Sequence, residues 1–314
     1  MGAAEKPPVQ TQQNENPDTP PRRGYKIIRW ILALLLIAVV LTAASSMYYY
    51  NNVPRMSDEE FTRRLDVSLD HALKWIKEHR ADILKKKNIA LLRMLQDADE
   101  IKSNALFSGI VDEFMATPLA PLCWKRLLDP HKNISAVELN QTIKNEYIDN
   151  KWILYAIDSD KAELTEKQKK DFFNGDIWQG RQLTHQLWAL IHLRDLQGAD
   201  EELNNLIEHL CDRITGQLPY NMAVLDIYFQ KNAFVIKAGF PEKINRRWIE
   251  RIIENQLPDG GWNDRWYCFR SPIKGRRPVF TPQPPGNQHA TVQALWLLYQ
   301  VRYRYPEHFG IIVN

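Results

Sequence analysis

Three long segments of the chain, 183–196, 223–238 and 288–303, are apolar on almost every side. A helix that is apolar all round has to be surrounded by other protein elements. Two amphipathic segments, 200–214 and 242–255, each precede one of these stretches and carry apolar residues at helical spacing on one face. The pattern predicts helical hairpins, each with a half-exposed outer helix followed by a buried inner helix.

The outer helix at 242–255 has the clearest division into two faces. Its apolar face consists of Trp248, Ile249, Ile252 and Ile253. Its opposite face consists of Arg247, Glu250, Arg251 and Glu254. We therefore expect this helix to be half-exposed, with the charged face toward water.

Helical periodicity also covers the N-terminal half of the chain. A Ser-Asp-Glu-Glu sequence at 57–60 is a capping box, and it starts a predicted helix that ends near Arg80. Further helices are predicted at 89–101, 105–114, 122–128, 152–157 and 165–173. No run of alternating apolar and polar residues predicts a strand of any length. The fold class is therefore predicted to be all-α.

A repeat links the hairpins. Gln-Leu-Pro occurs at 217–219 and again at 256–258, each time between an amphipathic and a strongly apolar helix. An earlier copy has Gly and Trp in its turn, at 174–178. A single hairpin cannot cover an inner helix this apolar, whereas a closed ring of hairpins can. Residues 57–305 have room for five or six hairpins, so we predict an α/α toroid, either a partial or a complete ring.

An apolar segment near the N-terminus predicts a membrane anchor. Residues 30–47 carry no charge, and the full span of 27–50 is long enough to cross a bilayer. The basic residues on its N-terminal side are Arg22, Arg23, Lys26 and Arg29. Only Arg55 follows closely, so the positive-inside rule predicts a cytoplasmic N-terminus. A cleaved signal peptide ending near Ala44 and Ser46 is the alternative, but the long polar leader favours a retained signal-anchor.

The predicted organisation has four parts. Residues 1–26 form a disordered cytoplasmic tail, 27–50 a transmembrane helix that contacts the lipid bilayer, 51–56 a linker and 57–314 an extracytoplasmic domain. We expect a single-pass protein of a bacterial inner membrane, with its main domain in the periplasm.

Composition excludes some partners and cofactors. A net charge of +3 is too small to indicate a nucleic-acid partner. The cysteines Cys123, Cys211 and Cys268 are widely spaced, and none lies at metal-binding spacing with another Cys or a His. We expect no metal and no cofactor. The cysteines are interpreted as buried free thiols, with one disulfide plus an odd thiol as the alternative for an extracytoplasmic domain.

The turn at 256–262, with its Gln, Asp-Gly-Gly and Trp, resembles the repeat of the terpenoid-cyclase and protein-prenyltransferase superfamily of α/α toroids. In that motif Gln ties the loop to a helix, Gly permits the turn and Trp packs beneath it. The resemblance implies an architecture rather than a chemistry. The nearest string to the cyclase Asp-x-Asp-Asp signature is Asp-Ser-Asp at 158–160. The zinc set of the prenyltransferases is matched only imperfectly by Asp264, Cys268 and His289.

A second resemblance is to toroid polysaccharide lyases, several of which carry Asn-Asn-His at the toroid mouth. Here Asn287, Gln288 and His289 stand just before an inner helix, with Gln departing from the pattern. The resemblance implies that Asn287 and Arg265 hold an anionic sugar. It also implies that His289 moves a proton, with Asp264 or Tyr267 as its partner.

The loop 263–286 is unusually long for a compact domain and is strongly basic. Its cations include Arg265, Arg276 and Arg277, and they suit an anionic ligand at the mouth of a cavity. A solvated surface loop, or one that docks on a partner, is the alternative.

His185, Asp226 and His289 stand near the starts of three successive inner helices. Helix N-termini favour anions, so these residues are candidates for a polar ring around a ligand. The alternative is that Asp226 caps its helix and the histidines fill turn hydrogen bonds. Trp262 and Asp259 beside His289 would suit a sugar ring, and would equally suit a packed turn.

Two classes of function remain open at this point. The first is a module that binds an anionic glycan, lipid or protein partner. The second is an enzyme of lyase or glycoside hydrolase type acting on an anionic sugar, or a terpenoid cyclase-like protein without the usual catalytic motif.

Overall fold

The computed structural model describes residues 22–117, 121–176, 180–198, 200–264 and 285–313. All regular structure in these ranges is helical, so the all-α prediction is confirmed. The helices are α1 (Arg22–Asn52), α2 (Asp58–Glu78), α3 (Arg80–Lys86), α4 (Ile89–Ile101), α5 (Ala105–Ala116), α6 (Leu122–Lys125), α7 (Ala136–Asn145), α8 (Ile148–Ile157), α9 (Glu166–Phe172), α10 (Gly180–Gln197), α11 (Glu201–Thr215), α12 (Asp226–Ala238), α13 (Arg246–Glu254) and α14 (Gln288–Tyr299).

The chain divides into two compact units, Met1–Tyr49 and Tyr50–Asn314. The described part of the first unit is most of α1. Its segment Ile27–Asn52 is long and apolar enough to cross a membrane, by length and composition. This agrees with the predicted span of 27–50. The tail 1–21 lies outside the described residues.

The segment 51–56, predicted as a linker, is held on the surface of the second unit. The Asn51 amide donates to the carbonyl oxygen of Pro219 over 3.0 Å. The Asn52 side-chain oxygen accepts from the Trp248 indole over 3.0 Å. These contacts fix the chain where it enters the second unit.

Three of the four charged side chains on this face of α13 are buried, those of Arg247, Glu250 and Arg251, so the expectation that the face lies toward water was wrong for these three. Arg247 and Glu250 are completely inaccessible to solvent. Arg247 donates to Glu250 over 3.1 Å and to Glu254 over 2.6 Å. Glu250 also accepts the backbone N–H of Arg55 over 2.8 Å. Helical periodicity cannot reveal this burial, because the cover comes from a segment about 200 residues away in the sequence.

Five helices form the interior of the second unit. In spatial order α8, α10, α12, α14 and α4 pack side by side, each against the next. The three segments with the strongest apolar character are therefore neighbours, as the hairpin pattern predicts. Other helices cover this row from outside: α11 packs on α10 and α12, α2 on α14, α5 on α4 and α7 on α8.

Aromatic side chains fill the space between the inner helices at mid-height. Trp188 of α10 stacks on Phe234 of α12 with ring centroids 5.5 Å apart. Phe234 meets Trp296 of α14 edge-on, again at 5.5 Å. All three side chains are buried. A buried aromatic layer therefore fills the space between α10, α12 and α14.

A buried charge cluster lies toward the C-terminal ends of the inner helices. Asp97 of α4 pairs with Arg93 over 2.6 Å and with Lys237 of α12 over 3.1 Å. His192 of α10 is nearby. Its burial, assisted by Arg93 and Lys237, lowers its pKa well below the ordinary value, so this histidine is neutral at physiological pH.

The turn at 256–262 is built as its motif predicts. The Gln256 amide donates to the carbonyls of Ser68 over 2.9 Å and Gly260 over 2.8 Å, which ties the turn to α2. Gly260 has a φ of 88°, where a side chain is disfavoured. The Trp262 indole donates to the Ile252 carbonyl over 2.8 Å from beneath the turn.

Candidate functional site

The N-terminal ends of α4, α8, α10 and α14 surround a cleft of about 560 Å³, which we call the N-terminal cleft. This volume is in the ordinary range for a small-ligand site. Its lining residues are Lys86, Lys87, Asn88, Ile89, Ala90, Pro121, Trp124, Glu146, Asn150, Ile153, His185, Trp188 and His289. Helix N-termini meet here because the inner helices that contribute to it run in the same direction.

One side of the N-terminal cleft is basic. Lys86 and Lys87 are exposed at the junction of α3 and α4, and Asn88 caps α4 by accepting from the Leu91 N–H over 3.4 Å. The first-turn N–H groups of α4 lack acceptors within the helix and carry partial positive charge. Among the described residues, Lys87 is the non-glycine with a positive φ, at 53°. Such strained backbone is often found at functional sites.

The opposite side carries an orientated carboxylate. Glu146 accepts from the Trp124 indole over 3.1 Å and from the Asn150 amide over 2.8 Å. These two donors fix the position of the carboxylate. Trp188 lines the cleft, and its indole N–H has no hydrogen-bond partner among the residues that the structure describes.

A second cleft of about 700 Å³ adjoins the first and shares Lys86 and His289 with it. We call it the adjoining cleft. Its other lining residues are Trp75, His79, Asp82, Lys85, Asn263, Asp264, Pro285, Gly286, Asn287 and Gln288. Trp75 and His79 stack with their ring centroids 3.9 Å apart, which presents a flat aromatic wall.

His289 lies where the two clefts meet, and it has a carboxylate partner. Its Nδ1 is 3.4 Å from Asp226 Oδ2, and its Nε2 is 3.1 Å from the Gln293 amide nitrogen. Both His289 and Asp226 are about one third exposed. The Asp226 carboxylate also accepts the N–H of Ile227 over 2.7 Å at the start of α12. The predicted polar ring thus brings His289, Asp226 and His185 to one end of the inner row.

Asp264 and Asn287 line the adjoining cleft together with His289. Asn287 is the cap of α14, because its side-chain oxygen accepts from the Ala290 N–H over 2.9 Å. The carboxylate that the structure pairs with His289 is that of Asp226, whereas the partnership of Asp264 with His289 stays a prediction.

Two of the predicted ligand-binding residues serve the turn instead. Trp262 is 1% exposed and packs beneath the turn. Asp259 accepts the N–H of Gly261 over 2.9 Å and of Gly286 over 2.7 Å, which joins the two ends of the long loop. Neither residue lines either cleft. The packed-turn alternative therefore holds for both.

Four predicted site residues lie outside the described residues: Arg265, Tyr267, Arg276 and Arg277. Cys268 lies outside them as well. Cys123 and Cys211 are buried free thiols, as predicted, and burial raises the pKa of both. Within the described ranges, no group of three or more His, Cys, Asp or Glu side chains could hold a metal ion.

Five residues of the N-terminal cleft were not predicted from the sequence: Lys86, Lys87, Trp124, Glu146 and Asn150. One signal was available, since Lys-Lys-Lys at 85–87 stands directly before the Asn cap of a predicted helix. A basic run at a helix N-terminus is typical of an anion site. The chain as a whole matches no protein-family model, no curated protein and no solved structure.

Proposed function

We propose that this protein is a membrane-anchored binding protein whose second unit is an α/α toroid that holds an anionic glycan at the N-terminal cleft. The anchor proposal depends on the apolar segment Ile27–Asn52. The positive-inside rule then assigns the second unit to the extracytoplasmic side, which is the periplasm in a bacterium.

The toroid proposal is supported by the order of packing. The inner row begins with α8 and ends with α4, and outer helices cover its members. The N-terminal cleft draws lining residues from the start of α4 and also from Asn150 and Ile153 of α8. The two ends of the row therefore approach the same cleft, which is what closure of a ring requires.

The observation that carries the ligand proposal is the pairing of cations and aromatic rings in one cleft. Lys86, Lys87 and the α4 N-terminus offer donors to a carboxylate or sulfate group. Trp124 offers an apolar ring face and Asn150 an amide, which are the groups that bind sugar rings and hydroxyls. A lipid headgroup would satisfy the cations, but it would leave the aromatic and amide side unused.

The test is a binding titration of the full chain in detergent micelles with a short oligomer of galacturonic acid. Replacing Lys86 and Lys87 together by Gln is expected to weaken binding about tenfold at low salt, because each exposed ionic contact contributes up to about 0.7 kcal/mol. Raising the ionic strength from about 0.05 M to about 0.5 M should weaken wild-type binding and narrow the difference between the proteins.

The matched control replaces Lys167 and Lys170 on α9, which are exposed and do not line the cleft, by Gln. This variant removes the same number of positive charges and should bind the acidic oligomer with the affinity of the wild type. A neutral galactose oligomer should bind more weakly than the acidic one. Equal affinity of both Lys variants for the acidic oligomer would refute the site.

Catalysis on the same ligand class is a second candidate, favoured by His289, which lines the cleft and has the Asp226 carboxylate 3.4 Å from its Nδ1. A base at His289 would take the proton from C5 of a uronate. The electron pair would form the C4=C5 double bond as the C4–O bond breaks, and the departing oxygen would take up a proton.

The catalytic candidate predicts that wild-type protein forms unsaturated ends on the acidic oligomer, followed by the ultraviolet absorbance of the new double bond. His289→Gln should lower this rate by about 100-fold or more, since a positioned general base contributes at least that factor. His209→Gln, an exposed histidine on α11, is the control and should leave the rate unchanged. If the wild-type protein binds the oligomer without forming double bonds, the catalytic candidate is rejected and the binding proposal stands.

A further inference from the structure

The loop between α11 and α12 exposes two large side chains beside the point where the chain enters the second unit. Tyr220 is 62% exposed and Met222 is 67% exposed. The residues around them are firmly placed. Arg251, which is 2% exposed, donates to the carbonyl of Asn221 over 2.9 Å and to that of Met222 over 3.0 Å. The backbone is held from the protein side, so the two side chains are presented outward.

The same loop is bonded to the last residues of α1. The Asn51 amide donates to Pro219 over 3.0 Å and lies 3.5 Å from the Asn221 carbonyl oxygen. The Asn52 amide adds a contact of 3.4 Å to Pro219. Pro219 and Asn221 directly flank Tyr220, so its backbone lies within one side-chain length of Asn51.

Asn51 lies at the C-terminal end of the apolar segment Ile27–Asn52. Consecutive Cα atoms are about 3.8 Å apart, so Asn51 lies within about 8 Å of Tyr49. The headgroup layer on each side of a bilayer is about 5 to 7 Å thick. A loop bonded to Asn51 therefore reaches this layer if α1 crosses the membrane. Tyr is a preferred residue at that depth, and Met adapts its shape to an irregular apolar surface.

We propose that Tyr220 and Met222 insert into the headgroup region of the bilayer and dock the second unit on the membrane surface. This inference rests on the proposed anchor, because the loop is brought to the bilayer by the chain connection at Asn51. The occupant is the lipid interface and not a protein partner, since the patch consists of two side chains and its loop is hydrogen-bonded to the C-terminal end of the apolar span.

The experiment places a nitroxide label on the full chain in lipid nanodiscs, in a Cys268→Ser background where Cys123 and Cys211 are buried. Labels are introduced one at a time by Met222→Cys, Val137→Cys and Leu35→Cys. Collision with oxygen, which dissolves in lipid, is compared with collision with a water-soluble nickel chelate. Val137 is the matched control, because it is 78% exposed and lies on α7.

The label at 222 should have an oxygen-to-nickel ratio severalfold higher than the label at 137, and Leu35 should have the highest ratio. Equal ratios at 222 and 137 would overturn the docking proposal. A low ratio at 35 would overturn the anchor itself, so the two failures are distinguishable. In detergent micelles without a bilayer surface, the difference between 222 and 137 should shrink.

Discussion

Replacing Glu250 by Ala is expected to lower the free energy of unfolding of the second unit by about 3 to 5 kcal/mol. Glu250 is completely buried, and Arg247 beside it is equally inaccessible. The variant leaves the Arg247 charge with Glu254 alone, at 2.6 Å. It also removes the acceptor for the backbone N–H groups of Arg55 and Met56. A buried charge or donor without a partner is among the costliest single defects in a protein.

The measurement is urea denaturation of the full chain in mild detergent, followed by tryptophan fluorescence. Glu166→Ala is the control, because the Glu166 side chain is 91% exposed and its ion pair with Lys169, at 3.3 Å, lies at the surface. It should change the unfolding free energy by less than about 0.5 kcal/mol. The double variant Arg247→Met with Glu250→Leu should lose less unfolding free energy than Glu250→Ala does. Both charges of this pair are then absent, so no buried charge remains without its partner. Similar values for Glu250→Ala and Glu166→Ala would contradict the burial of the network.

Replacing Gly260 by Ala is expected to cost about 3 kcal/mol, from two separable causes. The φ of 88° is unfavourable for any side chain by roughly 1 kcal/mol. A Cβ at this position would also lie 2.6 Å from the backbone oxygen of His71, a contact that requires the turn to move away from α2. Overpacking of this kind typically adds 1 to 3 kcal/mol.

Gly239→Ala separates the two causes. Gly239 has a φ of 103°, yet a Cβ there would meet no atom within 4 Å. Its replacement should therefore cost only the conformational part, about 1 kcal/mol. Both variants can be compared in the same urea denaturation. A Gly260→Ala variant no less stable than Gly239→Ala would mean that the turn does not press against α2.

The inner helices could be predicted from the sequence because their burial is nearly complete. The segments 183–196, 223–238 and 288–303 correspond to α10, α12 and α14, and the predicted helix 89–101 has the bounds of α4. Helices α3 and α7 were missed. Both are short, and their stability depends on neighbours and caps, such as Ser135 at the start of α7, more than on an apolar stripe.

The exposure of α13 was predicted wrongly for a different reason. A stripe of charged residues along a helix indicates a water-exposed face only when no other segment of the chain covers it. The cover here is the chain at 50–56, whose backbone N–H groups need acceptors that Glu250 supplies. Contacts between segments this far apart in the sequence leave no periodic pattern of residues from which they could be predicted.

The candidate site was predicted in part. His185, Asp226 and His289 could be grouped because each stands near the start of an inner helix, and neighbouring inner helices present the same end. Lys86 and Lys87 directly precede α4, which is far from α14 in the sequence. The packing of α4 on α14 brings these lysines into the same cleft as His289. Trp262 and Asp259 were predicted to bind a ligand, and the structure shows them in contacts within the turn. The sequence did not separate the two roles, because a motif with Gly and Trp is as typical of a packed turn as of a sugar-binding site.

The aromatic layer of Trp188, Phe234 and Trp296 has a consequence for how any ligand exchanges. Because these rings fill the space between α10, α12 and α14, a ligand chain cannot pass between these three helices at that level. If the N-terminal cleft holds a glycan as proposed, a long polymer would be engaged there sideways or by its tip, and not threaded between these helices.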